Sequence, residues 1–233
     1  MKITIIHGQN HKGSTWYVAE ELLKNIRTEC EVKEFFLPKD LPHFCTGCYA
    51  CLKAREACPF RDDKAQIDEA LREADLLIFT TPTYCMTPSA PMKAFMDLFF
   101  TNWMSHKPYA EMFSKRAVVL STAAGAGAKK AIKPIAQMLL YWGVPKVYAY
   151  GLAIHATGRT GIPEKKKTKI SRDMKALGKK LSRETKPHIG IRTRFLFRMM
   201  AGMQKSDWGA CPEEKEYWQE KGWLNGKKPW KSH

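Results

Sequence analysis

The sequence predicts an α/β fold, a doubly wound sheet of five parallel strands followed by a basic, Trp-rich C-terminal extension. Three observations carry this. Strand-like apolar runs alternate with helix-periodic segments from residue 2 to residue 150. The run Leu76-Leu77-Ile78-Phe79 is apolar on both faces, as a central parallel strand requires. Three segments that leave strand ends, 8–15, 81–89 and 122–127, are unusual in composition and fall where open α/β sheets bind ligands.

Lys2–Ile6 is the first expected strand. A helical pattern follows the polar loop at 8–15, with Val18, Leu22, Leu23 and Ile26 three and four residues apart. Glu31–Leu37 reads as the second strand, and Pro38 and Pro42 open a cysteine-rich loop. A polar helix over Lys64–Glu73 leads into the central strand, and a helix over Pro91–Phe100 follows it. Then come a strand at Ala117–Leu120, a Gly/Ala loop at 122–127, a helix over Lys129–Trp142 and a strand at Lys146–Tyr150. Residues 155–167 read as a charged linker, and a basic helix over Thr168–Glu184 closes the sheet unit. The expected organisation is one domain over 1–185 and a helical, aromatic extension over 186–233.

The chain has 233 residues, 44% hydrophobic and 27% charged, the proportions of an ordinary globular protein with its own core. No apolar run approaches the roughly 20 residues of a membrane-spanning helix. The opening Met1–His7 is too short for a signal peptide, so a cytoplasmic location is expected. The net charge of +16 is uneven: residues 1–154 carry 19 basic and 15 acidic side chains, residues 155–233 carry 20 and 8. Any polyanion reading therefore belongs to the tail. That tail has no recognised nucleic-acid module, and a nucleic-acid partner is not expected.

The first loop is Gly8-Gln9-Asn10-His11-Lys12-Gly13-Ser14-Thr15. Ser14 and Thr15 fall at a helix start, where free backbone N–H groups and the helix dipole favour an anion. On these residues alone the loop reads equally as a phosphate cradle or a capped turn. It has neither the Lys-Ser/Thr ending of a triphosphate loop nor the Gly-x-Gly-x-x-Gly of a dinucleotide site.

The second loop is more specific: Thr81-Pro82-Thr83-Tyr84-Cys85-Met86-Thr87-Pro88-Ser89-Ala90-Pro91-Met92-Lys93-Ala94-Phe95-Met96-Asp97. It resembles the Ser-Pro-x-Tyr … Leu-Lys-x-Phe-x-Asp signature of flavodoxin-like NAD(P)H-dependent FMN reductases. The first loop is similar to their Gly-Ser-Pro-Arg-x-x-Gly-x-Thr phosphate loop, with Gly8 where the family has Ser and Asn10 where it often has Arg. The resemblance covers about residues 1–155. It implies a flavodoxin-like fold, FMN as cofactor and NAD(P)H as electron donor. It places Gly8, Asn10, His11, Ser14 and Thr15 at the FMN phosphate, Pro82, Thr83, Tyr84, Cys85 and Met86 along the isoalloxazine, and Thr122, Ala123, Ala124 and Gly125 over the ring edge. A flavin needs an apolar or aromatic wall, backbone donors at its polar edge and a neutralised phosphate, which three such loops can supply. One phosphate loop without a second nucleotide unit favours FMN over FAD. No side-chain acid or base is assigned, because the flavin carries the chemistry.

Four of the seven cysteines lie in the run Cys45-x2-Cys48-x2-Cys51-x6-Cys58-Pro59. Without an export signal, such a cluster suggests metal or redox chemistry before disulfides. The run resembles the compact motif of iron–sulfur flavoproteins, which share this fold and carry a 4Fe-4S cluster between flavin and partner. A similar pattern occurs in flavodoxin-like reductases without a cluster, where the loop covers a neighbouring flavin. Both readings stay open, with tetrahedral Zn a lesser one. Cys30 and Cys211 read as plain thiols, and His43 and His155 receive no role.

In the extension, Ile191–Met203 is basic and amphipathic. It reads as a helix packed on its own domain or on a second subunit in preference to a membrane-surface helix. Trp208, Trp218, Trp223 and Trp230 should dock, because exposed tryptophan is costly. The leading function is FMN-dependent electron transfer from NAD(P)H to a quinone, flavin, nitroaromatic or protein acceptor. The alternative is single-electron relay from a ferredoxin-like donor through a 4Fe-4S cluster and FMN. An open flavin face implies at least a homodimer, covered by the cysteine loop and the aromatic tail through Phe44, Tyr49, Phe60 and Trp223.

Overall fold

The computed structural model describes residues 1–156, 158–183 and 187–231. Its strands are β1 (Lys2–His7), β2 (Glu31–Phe36), β3 (Leu76–Tyr84), β4 (Thr87–Pro88), β5 (Arg116–Ala123) and β6 (Lys146–Ala153). The helices are α1 (Ser14–Leu23), α2 (Ala50–Lys53), α3 (Arg61–Glu73), α4 (Ala90–Leu98), α5 (Ala128–Tyr141), α6 (Glu164–Arg183), α7 (Ile191–Lys205) and α8 (Pro212–Glu220). Five strands pair in parallel in the order β2-β1-β3-β5-β6, and β4 pairs antiparallel with the end of β3. This is the flavodoxin-like arrangement. Strand order reverses between β1 and β3, so the crevice of the fold lies at their carboxyl ends.

Alternation along the strands builds two cores. Leu77 and Phe79 of β3 face one side with Val119, packed under α3, α4 and α5 by Leu71, Phe95, Leu139 and Trp142. Leu76 and Ile78 face the other with Ile5 and Leu120, packed under α1 and α6 by Val18, Leu22, Ile170 and Met174. The lysine-rich α6 lies close to the turn after α1: a Cβ on Gly178 would sit 2.5 Å from the Asn25 carbonyl oxygen.

Several elements are longer than expected. β3 continues past Phe79 because Thr80, Thr81 and Pro82 keep pairing with Leu120, Ser121 and Thr122 of β5. An apolar run marks only the part of a strand buried on both faces, whereas threonine also favours strands. α3 begins at Arg61, putting Asp62 and Asp63 in its first turn, where carboxylates favour the positive end of the helix dipole. α6 begins at Glu164, inside the expected linker. The expected helix end at Glu184 and the boundary between 185 and 186 lie outside the described residues.

The extension folds back onto the sheet unit. Phe197 and Met200 of α7 join Trp218, Trp223 and Leu224 in a third core with Met104 and Phe113. Trp223 is therefore an internal packing residue, 3% exposed, and not a free flavin cover as expected. Polar bonds fix the docking: Trp218 Nε1 donates to the His106 carbonyl at 2.7 Å, and the fully buried Glu214 meets His106 Nδ1 at 2.6 Å. Phe197 contacts four aromatic rings, those of Phe113, Trp218, Trp223 and Trp230. Phe197→Ala is expected to lower stability by about 3–5 kcal/mol, measured by denaturant unfolding. A loss near zero would mean that the extension is not part of the cooperative unit.

Candidate functional site

β1 ends at His7, a buried ring stacked on Phe36 at 4.4 Å. Its nitrogens meet Thr80 Oγ1 at 3.0 Å and Glu34 Oε2 at 2.9 Å. The hydrogen bond from His7 holds the Glu34 carboxyl below the ordinary carboxylate range. The chain then turns at Gly8, where a Cβ would lie 2.7 Å from Ser89 Oγ and 2.9 Å from the Thr80 carbonyl oxygen. Ser89 Oγ instead donates to the Gly8 carbonyl at 2.6 Å. A serine side chain at position 8 has no room here, because Ser89 supplies a hydroxyl to the same space.

Gly13 precedes α1 and offers no side-chain cap. The first-turn N–H groups of a helix have no intrahelical acceptor. Ser14 Oγ is buried and has no hydrogen-bond partner among the described residues. Thr15 Oγ1 meets Thr122 Oγ1 at 2.6 Å, tying the first loop to the third. An uncapped helix start beside an orphaned buried hydroxyl fits a phosphate group.

The second loop is a hairpin that composition did not reveal. Thr83 pairs with Pro88 and Tyr84 with Thr87, leaving Cys85 and Met86 as a two-residue turn. Their φ values, 48° and 66°, are both left-handed, the pattern of a type I′ turn. Non-glycine residues there cost roughly 1–2 kcal/mol each. The hairpin projects Tyr84, 52% exposed, whose hydroxyl accepts from Gln9 Nε2 at 2.6 Å. The third loop closes against it at Gly127, where φ is 98° and a Cβ would sit 2.5 Å from Met86 Sδ.

These loops line one cleft at the carboxyl ends of the strands. Of the expected residues it gathers His11, Ser14, Thr15, Pro82, Thr83, Tyr84, Thr122, Ala123 and Ala124. It adds Gln9, Ile154 and Ala156. Gly8, Asn10, Cys85, Met86 and Gly125 are not among its lining residues. Gly8 is buried beneath the loop; Asn10, Cys85, Met86 and Gly125 are exposed at its rim or beyond. Ile154 and Ala156 follow the end of β6, and the strand-end rule applied to that strand would have found them. No Lys or Arg lines the cleft among the described residues, so an anion there relies on backbone N–H groups, hydroxyls and the side-chain N–H donors of Gln9 and His11.

The cysteine loop forms a second feature. Cys45, Cys48, Cys51 and Cys58 all line one small cavity with Tyr49, Phe60, Leu98 and Phe100. Tight turning brings them there: Gly47 and Tyr49 have φ values of 69° and 56°, and the short helix α2 carries Cys51 inward. Cys45 and Cys48 are exposed. The Ala50 N–H draws the Cys48 thiol below its ordinary value, and burial pushes Cys51 above it. Among the described residues no three His, Cys, Asp or Glu are placed to hold a single metal ion. That disfavours Zn, whose ligands meet at one centre. Four thiols around one cavity suit a cluster that spreads its ligands over several irons. Phe44 and Tyr49 are 71% and 63% exposed, whereas Phe60 stacks on His43 at 4.5 Å.

The sequence profile described as NADPH-dependent FMN reductase matches residues 1–157. The chain belongs to this family. It is thus an enzyme of the NAD(P)H:FMN oxidoreductase type, with the cleft at the position its fold reserves for a ligand. An iron-sulfur flavoprotein of Archaeoglobus fulgidus is 25% identical over 233 residues, covering 96% of this chain and all of the relative. An iron-sulfur flavoprotein of Clostridioides difficile is 29% identical over 179 residues, 74% of this chain and 76% of the relative. Among solved structures, an FMN-dependent NADH-azoreductase of Bacillus anthracis in complex with FMN superposes with a TM-score of 0.59 at 13% identity, covering 78% of this chain and all of that one. At that identity the likeness establishes the fold alone. No helix among the described residues is long and apolar enough to cross a membrane.

Proposed function

We propose that this member of the FMN reductase family takes electrons from NAD(P)H and passes them to a small-molecule acceptor of quinone, flavin or nitroaromatic type. The supporting observation is the orphaned Ser14 hydroxyl at the uncapped start of α1, opening into the strand-end cleft. In this reading Ser14, Thr15 and the first-turn N–H groups hold the FMN phosphate. Pro82, Thr83 and Tyr84 form the wall along the ring, and Thr122, Ala123 and Ala124 border its edge. Bound FMN would supply hydride acceptance and donation to the acceptor. The protein's own work is positioning: the Gln9–Tyr84 and Thr15–Thr122 hydrogen bonds lock the three loops to one another. No side chain of the cleft is assigned proton transfer. Rim residues Asn10, Cys85, Met86 and Gly125 bear on access to the ring. A second copy of the chain, seated over the exposed Phe44 and Tyr49, would complete the cover.

Heat-denatured protein is expected to release a flavin that co-migrates with FMN at about one per chain. FAD, or no flavin after reconstitution with FMN, overturns the reading.

A second reading rests on a separate observation, the convergence of four thiols on one cavity, and on the naming of relatives as iron-sulfur flavoproteins. In it Cys45, Cys48, Cys51 and Cys58 hold a 4Fe-4S cluster, which would supply single-electron exchange with a redox protein. Lys64, its Nζ 4.0 Å from Cys58 Sγ, would offset part of the thiolate charge.

A further inference from the structure

α7 has two apolar faces, and only one is used. Leu196, Phe197 and Met200 point into the third core. On the opposite side Ile191, Phe195 and Met199, spaced by four, form a stripe that is 88%, 63% and 45% exposed. Just beyond the helix, Trp208 is 78% exposed, although the other tryptophans of the extension are packed.

The flanks of this stripe are cationic. Arg194, Arg198 and Lys205 lie along one side and Arg192 along the other, all exposed, and α7 carries no acidic residue. Among the described residues Arg192, Arg198 and Lys205 engage in no ion pair or hydrogen bond. Unpaired long cations bordering an apolar ridge can extend their charges outward while their stems cover apolar surface.

We infer that the outer face of α7 docks on an anionic lipid bilayer, with Ile191, Phe195, Met199 and Trp208 at the acyl boundary and Arg192, Arg194, Arg198 and Lys205 at the headgroups. Charge and shape select this occupant. A twofold contact of α7 with α7 from a second copy would set cations against cations, since an isologous interface opposes like patches. The stripe is also a convex ridge of flexible side chains. A protein partner would need a matching groove for it, whereas a fluid interface needs none. α7 has 15 residues and lies across the surface of its domain, so it suits a position in the membrane plane and does not span. Trp208, exposed just past the C-terminal end of α7, fits the preference of tryptophan for the membrane interface. Docking would hold the enzyme beside acceptors that dissolve in lipid, but the inference itself does not depend on the flavin assignment.

Co-sedimentation of the full chain with sucrose-loaded vesicles tests this. Binding to phosphatidylglycerol–phosphatidylcholine vesicles is expected, with little binding to phosphatidylcholine alone and weakening by salt. Phe195→Ser with Met199→Ser should reduce the binding about tenfold or more, as should Arg192→Gln with Arg198→Gln. Lys175→Gln with Lys179→Gln on α6 removes the same charge elsewhere and should change it by less than about twofold. All six positions are exposed, so circular dichroism should be unchanged. Vesicles should also shift the tryptophan emission to the blue, a shift lost in Trp208→Phe. Absence of binding at low salt overturns the inference. So does equal weakening by the α6 pair, which would mean diffuse charge attraction. Self-association or capture of an acidic protein abolished by Phe195→Ser, without vesicle binding, would assign the face to that partner instead.

Discussion

Replacing Ser14 by Asp is expected to lower FMN affinity by about 100-fold or more, the repulsion of two charges a few ångströms apart at a partly buried site after screening. Ser14 is the first residue of α1, directly after Gly13, and its Oγ is buried without a partner among the described residues. A carboxylate at that point would oppose the FMN phosphate and would itself occupy the free N–H groups of the first turn. Ser14→Ala is the gentler companion, losing about one hydrogen bond to a charged group, or roughly tenfold. Titration of apoprotein with FMN, followed by flavin fluorescence, measures both. Unchanged affinity in Ser14→Asp would place the phosphate elsewhere in the cleft.

Cys48→Ala separates the two readings of the cysteine loop. Cys48 is exposed, so the substitution should leave the fold and FMN binding intact. With a 4Fe-4S cluster on Cys45, Cys48, Cys51 and Cys58, losing one thiolate leaves a labile three-cysteine site, and most bound iron should be lost. Reduction of one-electron acceptors should then fall further than hydride uptake from NAD(P)H. Iron and acid-labile sulfide, assayed on anaerobically reconstituted protein, read the outcome. Wild-type values near zero would reject the cluster and leave the loop as a cover for the flavin.

The sheet was legible because its central strands are apolar on both faces and its helices repeat with helical period. The family resemblance then aligned loops 8–15 and 81–89 with a flavin site. What stayed hidden depends on contacts between residues far apart in the chain. Gly8 looked like a phosphate ligand, but its lack of a side chain reflects the approach of Ser89, 81 residues away. The turn at Cys85–Met86 uses left-handed backbone at residues that seldom adopt it, so no Asn-Gly or Asp-Gly signal announced the hairpin. Ile154 and Ala156 enter the cleft only because β6 runs past Tyr150 to Ala153. Trp223 looked available for an interface because nothing local shows that Phe113 and Phe197 surround it. Conversely, the amphipathic character of α7 was plain, but not that its apolar residues divide between two faces.

A comparison of FMN with riboflavin on the same apoprotein bears most directly on the phosphate cradle. The two ligands share the ring and the ribityl chain and differ in the phosphate alone. Hydrogen bonds from Ser14, Thr15 and the α1 N–H groups to a charged phosphate should make FMN the tighter ligand by about 100-fold or more. In Ser14→Asp that preference should largely vanish, while riboflavin affinity stays near its wild-type value. Equal affinity of the wild-type apoprotein for FMN and riboflavin would contradict the placement of the phosphate at the start of α1.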